Sequence, residues 1–216
     1  MTDALALADL RREYTLAGLR RADLEADPIA QFQKWFQQAQ ASKVADANAM
    51  TLSTADKQGR PSARIVLLKG IGERGFVFFT NCESRKGREL EWNPNAALVF
   101  YWPELERQVC VAGTVSRVTA EEAANYFRTR PKGSRLAAWV SNQSEPIPDR
   151  KLLEKKLAAL AEKHPGDDVP VPPSWGGFCV APHRIEFWQG RPNRLHDRFE
   201  YLKLLDNSWQ IERLAP

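Results

Sequence analysis

The residues best suited to chemistry are cations and hydroxyls gathered in one short span. Arg64 and Lys69 flank the apolar run Ile65-Val66-Leu67-Leu68, and Phe79-Thr80 and Ser84-Arg85-Lys86 follow closely. The stretches 64–69 and 76–80 are rich in β-branched or aromatic side chains, so they predict two strands joined by a glycine-rich turn. Ser84 is a good N-cap, and the helix it opens presents unpaired backbone N–H groups beside the two cations Arg85 and Lys86. Dipole, donors and charge there all favour a phosphate. A solvated surface hairpin would use the same residues, and the stretch alone leaves both readings open. Arg64 and Lys69 are an odd number of positions apart, so a regular strand points them to opposite faces. One ligand meets both only at a bulge or along the strand's end.

Gly70-Ile71-Gly72-Glu73-Arg74-Gly75 matches the G-x-G-x-x-G pattern of dinucleotide-binding folds. That fingerprint needs a helix to begin within its glycines. Here Phe76-Val77-Phe78-Phe79 follows, which has no helical period, so the glycines predict a hairpin turn and not a Rossmann domain.

Other polar groups recur further along. Tyr126 and Arg130 are four apart, hence on one helix face, and the turn-like Pro131-Lys132-Gly133-Ser134 could fold Ser134 back beside them. Guanidinium, phenol and hydroxyl together would make a second phosphate site; an ordinary helix end with a solvated arginine is the plainer alternative. Arg194-Leu195-His196-Asp197-Arg198 is the densest polar cluster. In an extended segment Arg194, His196 and Arg198 share a face and could hold an anionic or aromatic ligand. A hydrolase triad is excluded, because adjacent His196 and Asp197 would face apart and no G-x-S-x-G elbow exists. His164, His183 and His196 lack metal-ligand spacing, so no metal is expected. Gln108, Gln143-Ser144 and Trp188-Gln189 could line a planar heterocycle.

The elements that must position these groups alternate in type. Residues 1–26 are charged with scattered leucines and suit a loosely held helical arm ahead of one domain over 27–216. Asp27-Pro28 starts a helix with Ile29, Phe32, Trp35, Phe36 and Ala39 inward. Strands are expected at 49–54, 61–69, 76–80, 95–102, 107–118, 178–180, 184–188, 199–202 and 209–214. A helix runs from Ser84 to about Trp92, and Thr119-Ala120-Glu121-Glu122 is a capping box for a helix ending by Pro131. Another follows Pro148 with Leu152, Leu153, Leu157 and Leu160 inward. Hairpin-joined strands with inserted helices argue an antiparallel sheet or barrel in an α+β fold.

The 216 residues carry a net charge of only +4 without blocks of like charge, which suits a small anion and not nucleic acid. No apolar run reaches membrane-spanning length, and no signal-peptide layout precedes it. Three widely spaced cysteines form no disulfide or metal framework, so a reducing cytoplasm is expected.

Taken together, these stretches resemble the pyridoxine (pyridoxamine) 5′-phosphate oxidase family. The likeness rests on Arg11-Arg12-Glu13-Tyr14-Thr15, Arg64 to Lys69, Ser84-Arg85-Lys86, Leu105-Glu106-Arg107-Gln108-Val109, Tyr126-Phe127 with Arg130-Pro131, and Ala138-Trp139-Val140-Ser141. It continues through Gln143-Ser144, Trp175-Gly176-Gly177-Phe178, Ile185 to Gly190, Arg194 to Phe199 and the terminal Arg213-Leu214-Ala215-Pro216. The resemblance implies an FMN-binding split β-barrel, an antiparallel Greek-key barrel with flanking helices, and a homodimer holding flavin between subunits. It implies FMN contacts at Arg64, Ile65, Val66, Leu67, Leu68, Lys69, Phe79, Thr80, Arg85, Lys86, Gln108, Gln143, Ser144, Trp188 and Arg198. Substrate phosphate would meet Lys69, Tyr126, Arg130 and Ser134, while Arg194, Leu195 and His196 face the pyridine ring. Arg11, Arg12, Glu13 and Tyr14 would close over it. The implied reaction oxidises pyridoxamine 5′-phosphate or pyridoxine 5′-phosphate to pyridoxal 5′-phosphate, with oxygen as acceptor and hydrogen peroxide released. Arg194 and His196 are the catalytic residues on this view. Phe79 departs from the tyrosine common at that position.

Overall fold

The computed structural model describes residues 13–216, so the Arg11 and Arg12 expectations lie outside the described residues. Among the described residues nine strands form one sheet: β1 (Ala49–Ala55), β2 (Pro61–Leu67), β3 (Gly70–Gly72), β4 (Gly75–Asn81), β5 (Asn95–Trp102), β6 (Arg107–Arg117), β7 (Trp175–Gln189), β8 (Asp197–Lys203) and β9 (Trp209–Leu214). Their order is β2-β1-β5-β6-β7-β4-β3, with β8 pairing β7 and β9. Five α-helices accompany them: α1 (Pro28–Ala41), α2 (Arg85–Trp92), α3 (Ala120–Thr129), α4 (Lys132–Val140) and α5 (Arg150–Lys163). The expected α+β class with an antiparallel sheet is what the chain adopts; β1–β2, β3–β4, β4–β7, β7–β8 and β8–β9 all pair antiparallel.

Two compact units share these elements. One comprises the chain through Ala47, with Val99–Cys110 and Arg184–Pro216; the other comprises Asn48–Leu98 and Val111–His183. In the first, Asp27 caps α1 by accepting from the backbone N–H groups of Ile29 and Ala30. Pro28 at the first helical position loses no hydrogen bond there. The helix buries Phe32, Trp35 and Ala39; Phe32 packs edge-on to Phe100 at 4.8 Å between centroids, and Trp35 on Phe187 at 5.2 Å.

In the second unit, β1 alternates, burying Met50, Leu52 and Thr54 as a half-buried strand should. The 70–75 glycines make a hairpin: β3 pairs with β4, placing Gly72 opposite Gly75. Gly75 has φ 120°, and a Cβ there would lie 2.0 Å from the Val180 carbonyl oxygen, so only glycine fits. Phe78 then pairs with Phe178 across β4 and β7, their rings 5.7 Å apart.

Several expectations are corrected. The two strands expected at 178–180 and 184–188 are one fifteen-residue strand, β7. Pro182 did not break it, and Pro131 does not lead into a loose turn but acts as N-cap of α4, a helix the sequence reading missed. Helix α5 buries no residue, and Leu152 and Leu157 are exposed instead of inward. Of the helical arm expected over 1–26, the described part holds only one 3₁₀ turn, Arg21–Asp23. Among the described residues no helix is long and apolar enough to cross a membrane, and no group of His, Cys, Asp or Glu is placed to hold a metal.

Candidate active site

The second unit contains a cavity of about 730 Å³, within the range of small-molecule sites. At one end the N-terminus of α2 supplies it with charge. Ser84 Oγ caps the helix by accepting from the Gly87 N–H at 3.3 Å, and the Arg85 N–H donates to Ser144 Oγ at 3.1 Å. Lys86 is buried, with only 8% of its surface exposed. Its ammonium donates to Gln143 Oε1 at 2.8 Å, Thr80 Oγ1 at 3.1 Å and Ser84 Oγ at 3.3 Å. Burial, helped by nearby Arg64 and opposed by Glu89, brings its pKa down to about 8.

Arg64 reaches the same end from β2. Its Nη1 donates to Thr54 Oγ1 at 2.6 Å and to the Leu52 carbonyl at 3.3 Å, and its Nη2 donates to Ser62 Oγ and to Glu89 Oε2. The concern that Arg64 and Lys69 would point apart disappears, because β2 ends at Leu67 and Lys69 sits in the connection to β3; both line the cavity. Ile65, Val66 and Leu67 line it as well, and Ile65 is 65% exposed. Leu68 does not: it is buried, with its N–H bonded to the Asn48 carbonyl. Phe79, Thr80, Arg85, Gln143 and Ser144 complete the expected set at this cavity.

Tyr126, Arg130 and Ser134 line the cavity together with Lys69. Arg130 is the C-cap of α3 and Pro131 opens α4, so the helix break swings Ser134 back as the spacing suggested. The Phe79 and Tyr126 rings stack 4.1 Å apart, and the Arg130 guanidinium lies 4.4 Å over Trp175. Arg130 Nη1 is buried and has no hydrogen-bond partner. An orphaned donor on a guanidinium facing a cavity is what an anion site leaves when described without its anion. Burial holds the Arg130 pKa below its ordinary value.

The remaining expected residues belong to the first unit and are not among the cavity's lining. Tyr14 packs edge-on to Trp188 at 5.5 Å and to His196 at 5.7 Å, and Trp188 lies 4.6 Å from His196. Gly190 permits this, since a Cβ there would be 2.6 Å from Tyr14 Cγ. The exposed residue Glu13 precedes Tyr14. His196 Nδ1 accepts from the Arg191 N–H at 3.1 Å, so its other nitrogen, Nε2, carries the ring proton. Burial and then Arg194 lower its pKa.

The single extended face expected for Arg194, His196 and Arg198 is corrected: Pro192–Arg194 is a 3₁₀ turn, with Asn193 and Arg194 at positive φ. Arg198 begins in β8 and binds Glu186 through two parallel hydrogen bonds, at 2.7 and 3.0 Å. Gln108 Nε2 donates to Cys110 Sγ at 3.2 Å. Leu195 is 69% exposed. Among the described residues, Arg194 has no ion-pair or hydrogen-bond partner and is exposed.

Three residues that the sequence analysis does not name are built into the cavity or its floor: Thr54, Ser62 and Glu89. Only Glu89 left a trace in the sequence, its i,i+4 spacing from Arg85.

Comparison with known proteins now adds to this geometry. Residues 36–164 match the family model described as pyridoxamine 5′-phosphate oxidase, and residues 175–216 match that of the pyridoxine 5′-phosphate oxidase C-terminal dimerisation region. A pyridoxine/pyridoxamine 5′-phosphate oxidase of Paraburkholderia phytofirmans is 55% identical, covering 98% of this chain and 99% of its own. The protein of the same name from Nostoc punctiforme is 54% identical, over 97% and 98%. Among solved structures, PhzG from Burkholderia lata, in complex with tetrahydrophenazine-1-carboxylic acid, superposes with a TM-score of 0.88 at 30% identity, covering 93% of this chain and 99% of that one. An FMN-binding protein related to pyridoxamine 5′-phosphate oxidase, from Nostoc punctiforme, has a TM-score of 0.72 at 18% identity over 89% and 100%, a likeness of fold.

Proposed function

The chain belongs to the pyridoxamine 5′-phosphate oxidase family, with its split-barrel fold, and on that premise we propose that it oxidises pyridoxamine 5′-phosphate and pyridoxine 5′-phosphate to pyridoxal 5′-phosphate. Its cofactor is FMN. One observation carries the reading: a single cavity is lined by two groups suited to phosphate, Arg64, Arg85 and Lys86, whose arginines are joined through Glu89, and Lys69, Tyr126, Arg130 and Ser134, whose Arg130 has an unpartnered Nη1. Cofactor and substrate each bring one phosphate.

When bound, FMN supplies a two-electron acceptor that oxygen restores, with hydrogen peroxide as product. The chain's own residues bind and align. Arg64, Arg85 and Lys86 neutralise the cofactor phosphate; Thr80, Gln143 and Ser144 fix neighbouring polar positions. Arg130 grips the substrate phosphate through a planar fork that can engage two oxygens, and its stacking on Trp175 keeps that plane fixed. Arg194, whose guanidinium has no hydrogen-bond or ion-pair partner among the described residues, orients the pyridine ring and supports the charge that develops as C4′ loses hydrogen. His196 presents Nε2–H as a donor and positions the ring; its Nδ1 is engaged by the backbone and is not a base. The amine substrate consumes one water and one oxygen per ammonia and peroxide formed, and the alcohol consumes oxygen alone.

The assembly is a homodimer with flavin held between subunits, supported by the match of residues 175–216 to a dimerisation region. That region contains Trp188, Arg194, Leu195, His196 and Arg198, five of the expected residues absent from the cavity's lining. Three free cysteines suit a cytoplasmic protein.

An absorbance spectrum tests the reading directly. The purified protein should show flavin bands that bleach on anaerobic addition of pyridoxamine phosphate and return with air, yielding one peroxide per aldehyde. A protein that holds FMN but is not bleached by either phosphorylated substrate is not this oxidase. Bleaching by a tetrahydrophenazine carboxylate alone would point instead to chemistry like that suggested by the ligand of PhzG.

A further inference from the structure

Beneath the cationic end of the cavity lies a carboxylate that the mechanism above does not use. Glu89, on α2, is 2% exposed. It takes four donors: Thr54 Oγ1 at 2.5 Å, Ser62 Oγ at 2.6 Å, Arg85 Nε at 2.8 Å and Arg64 Nη2 at 3.3 Å. Those donors come from β1, β2 and α2, so one side chain ties three elements together at the point where the cations gather. Arg85 keeps 60% of its side chain exposed despite this bond, so its far end stays free for a ligand.

We propose that Glu89 is a positioning residue for the cofactor phosphate, holding Arg64 and Arg85 in place from below and setting the charge of the site. This rests on the assignment of FMN to that end of the cavity. Three cations against one carboxylate leave two positive charges there, which match a phosphate monoester carrying close to two negative charges at neutral pH. Without the carboxylate, Arg64, Arg85 and Lys86 would repel one another at close range, and long side chains with no anchor would scatter. Burial by itself would raise the Glu89 pKa, but hydrogen bonds from Ser62, Thr54, Arg85 and Arg64 outweigh it and hold it at about 2, so the group is ionised throughout the working range. The groups facing Lys86 are Arg64 and Glu89 among charges, and the Thr80 and Ser84 hydroxyls and Gln143 amide among neutral partners. Glu89 is therefore the one charge in this set that favours the Lys86 ammonium.

The test is flavin-fluorescence titration of the apoprotein with FMN and with riboflavin, for wild type, Glu89→Gln, Glu89→Asp and Thr54→Val. Riboflavin lacks the phosphate and reports whether the ring site is folded. We expect Glu89→Gln to bind FMN about tenfold more weakly and riboflavin as wild type does. Its FMN affinity should begin to fall at lower pH than in wild type, because Lys86 loses its proton sooner. Glu89→Asp keeps the charge but shortens the reach, and Thr54→Val removes the shortest donor; each should cost about threefold against FMN only. If Glu89→Gln does not fold, these two variants carry the test. An FMN-to-riboflavin preference unchanged in the variants that fold, or tighter FMN binding by Glu89→Gln, would overturn the positioning role. A wild type that binds both flavins equally would instead remove the FMN assignment, and this inference with it.

Discussion

Two polar regions invite comparison, the cavity's cationic end and the Arg191–Arg198 cluster. The first gathers Arg64, Arg85 and Lys86 around one acid, Glu89. The second engages more of its cations: Arg198 pairs with Glu186, and Asp197 takes both Arg213 at 2.7 Å and Arg191 at 3.5 Å, so two carboxylates hold three arginines. Asp197 also accepts the Leu19 N–H, and its pKa is lowered by these partners against burial. Three cations around a single acid at a cavity suit an anion, whereas arginines held by carboxylates and backbone keep their own segment in shape. Arg194 and His196 stand apart from those pairs, the one unpartnered among the described residues and the other tied through Nδ1 alone.

The sharpest way to break this contrast is to remove Arg194 from the second region. Arg194→Ala should keep the flavin spectrum and fold, yet lower kcat by on the order of 10²-fold, comparable to loss of one charge-stabilising donor. Stopped-flow reduction by pyridoxamine phosphate checks it. If the variant released FMN and turned over normally once FMN was resupplied, Arg194 would belong with the cofactor and the division of the cluster would fail.

Next in size is the cationic end. Lys86→Ala deletes a buried ammonium, and a charge-assisted hydrogen bond is worth ~1.5–3 kcal/mol, so FMN should bind roughly ten- to a hundredfold more weakly. Riboflavin binding should hardly change. Equal losses for the two flavins would mean that Lys86 supports the fold of the site.

What the sequence made legible follows the same divide. Groups fixed by local rules were readable: the Asp27 and Ser84 caps, the 119–122 capping box and the 70–75 hairpin all occur as their residue types require. Arg64, Lys69, Arg85, Lys86, Tyr126, Arg130 and Ser134 also meet at one cavity. What failed depended on distant partners. The helix opened by the 119–122 box does end before Pro131, but the α4 that Pro131 opens and the continuity of β7 through Pro182 were not foreseen, because surrounding contacts decide whether the missing N–H matters. Alternation put Arg194 and Arg198 together, but positive φ at Asn193 and Arg194 breaks the extended run; Pro192-Asn193 is a turn signal for the first, while nothing in an arginine announces the second. Glu89 escaped notice because its partners Thr54 and Ser62 come from strands far away in sequence.

An effect of the same size separates the cavity's two phosphate groups from each other. Arg130→Ala should cost ~1.5–3 kcal/mol, about ten- to a hundredfold in kcat/KM for pyridoxamine phosphate. Unphosphorylated pyridoxamine, which offers that guanidinium nothing to grip, should show little change. Comparing both amines on wild type and variant decides it: equal losses would mean that Arg130 supports the Trp175 stack and not a phosphate.

The mildest perturbation needs no mutation, because Lys86 can be titrated. Its folded pKa of about 8 lies below the ordinary value of 10.5, burial being the first cause and Arg64 the second. Between those two values the unfolded chain binds more protons than the folded apoprotein, so apoprotein stability gains a contribution as pH rises from about 8 toward 10.5. FMN affinity runs the other way. A bound phosphate favours the ammonium and raises its pKa, so binding takes up a proton once the free protein has lost it. Affinity should be level between about pH 7 and 8, where the phosphate is a dianion, and fall by up to about tenfold for the next unit, a slope set by one proton. Riboflavin affinity should stay level over the same range, and Lys86→Arg should flatten the FMN curve, since a guanidinium does not titrate there. Isothermal titration calorimetry in two buffers of different ionisation heat would count the proton directly. Opposite slopes of apoprotein stability and FMN affinity above pH 8 are the signature of this one group. If both rose or both fell together, Lys86 would not be the residue that binding of the phosphate recharges.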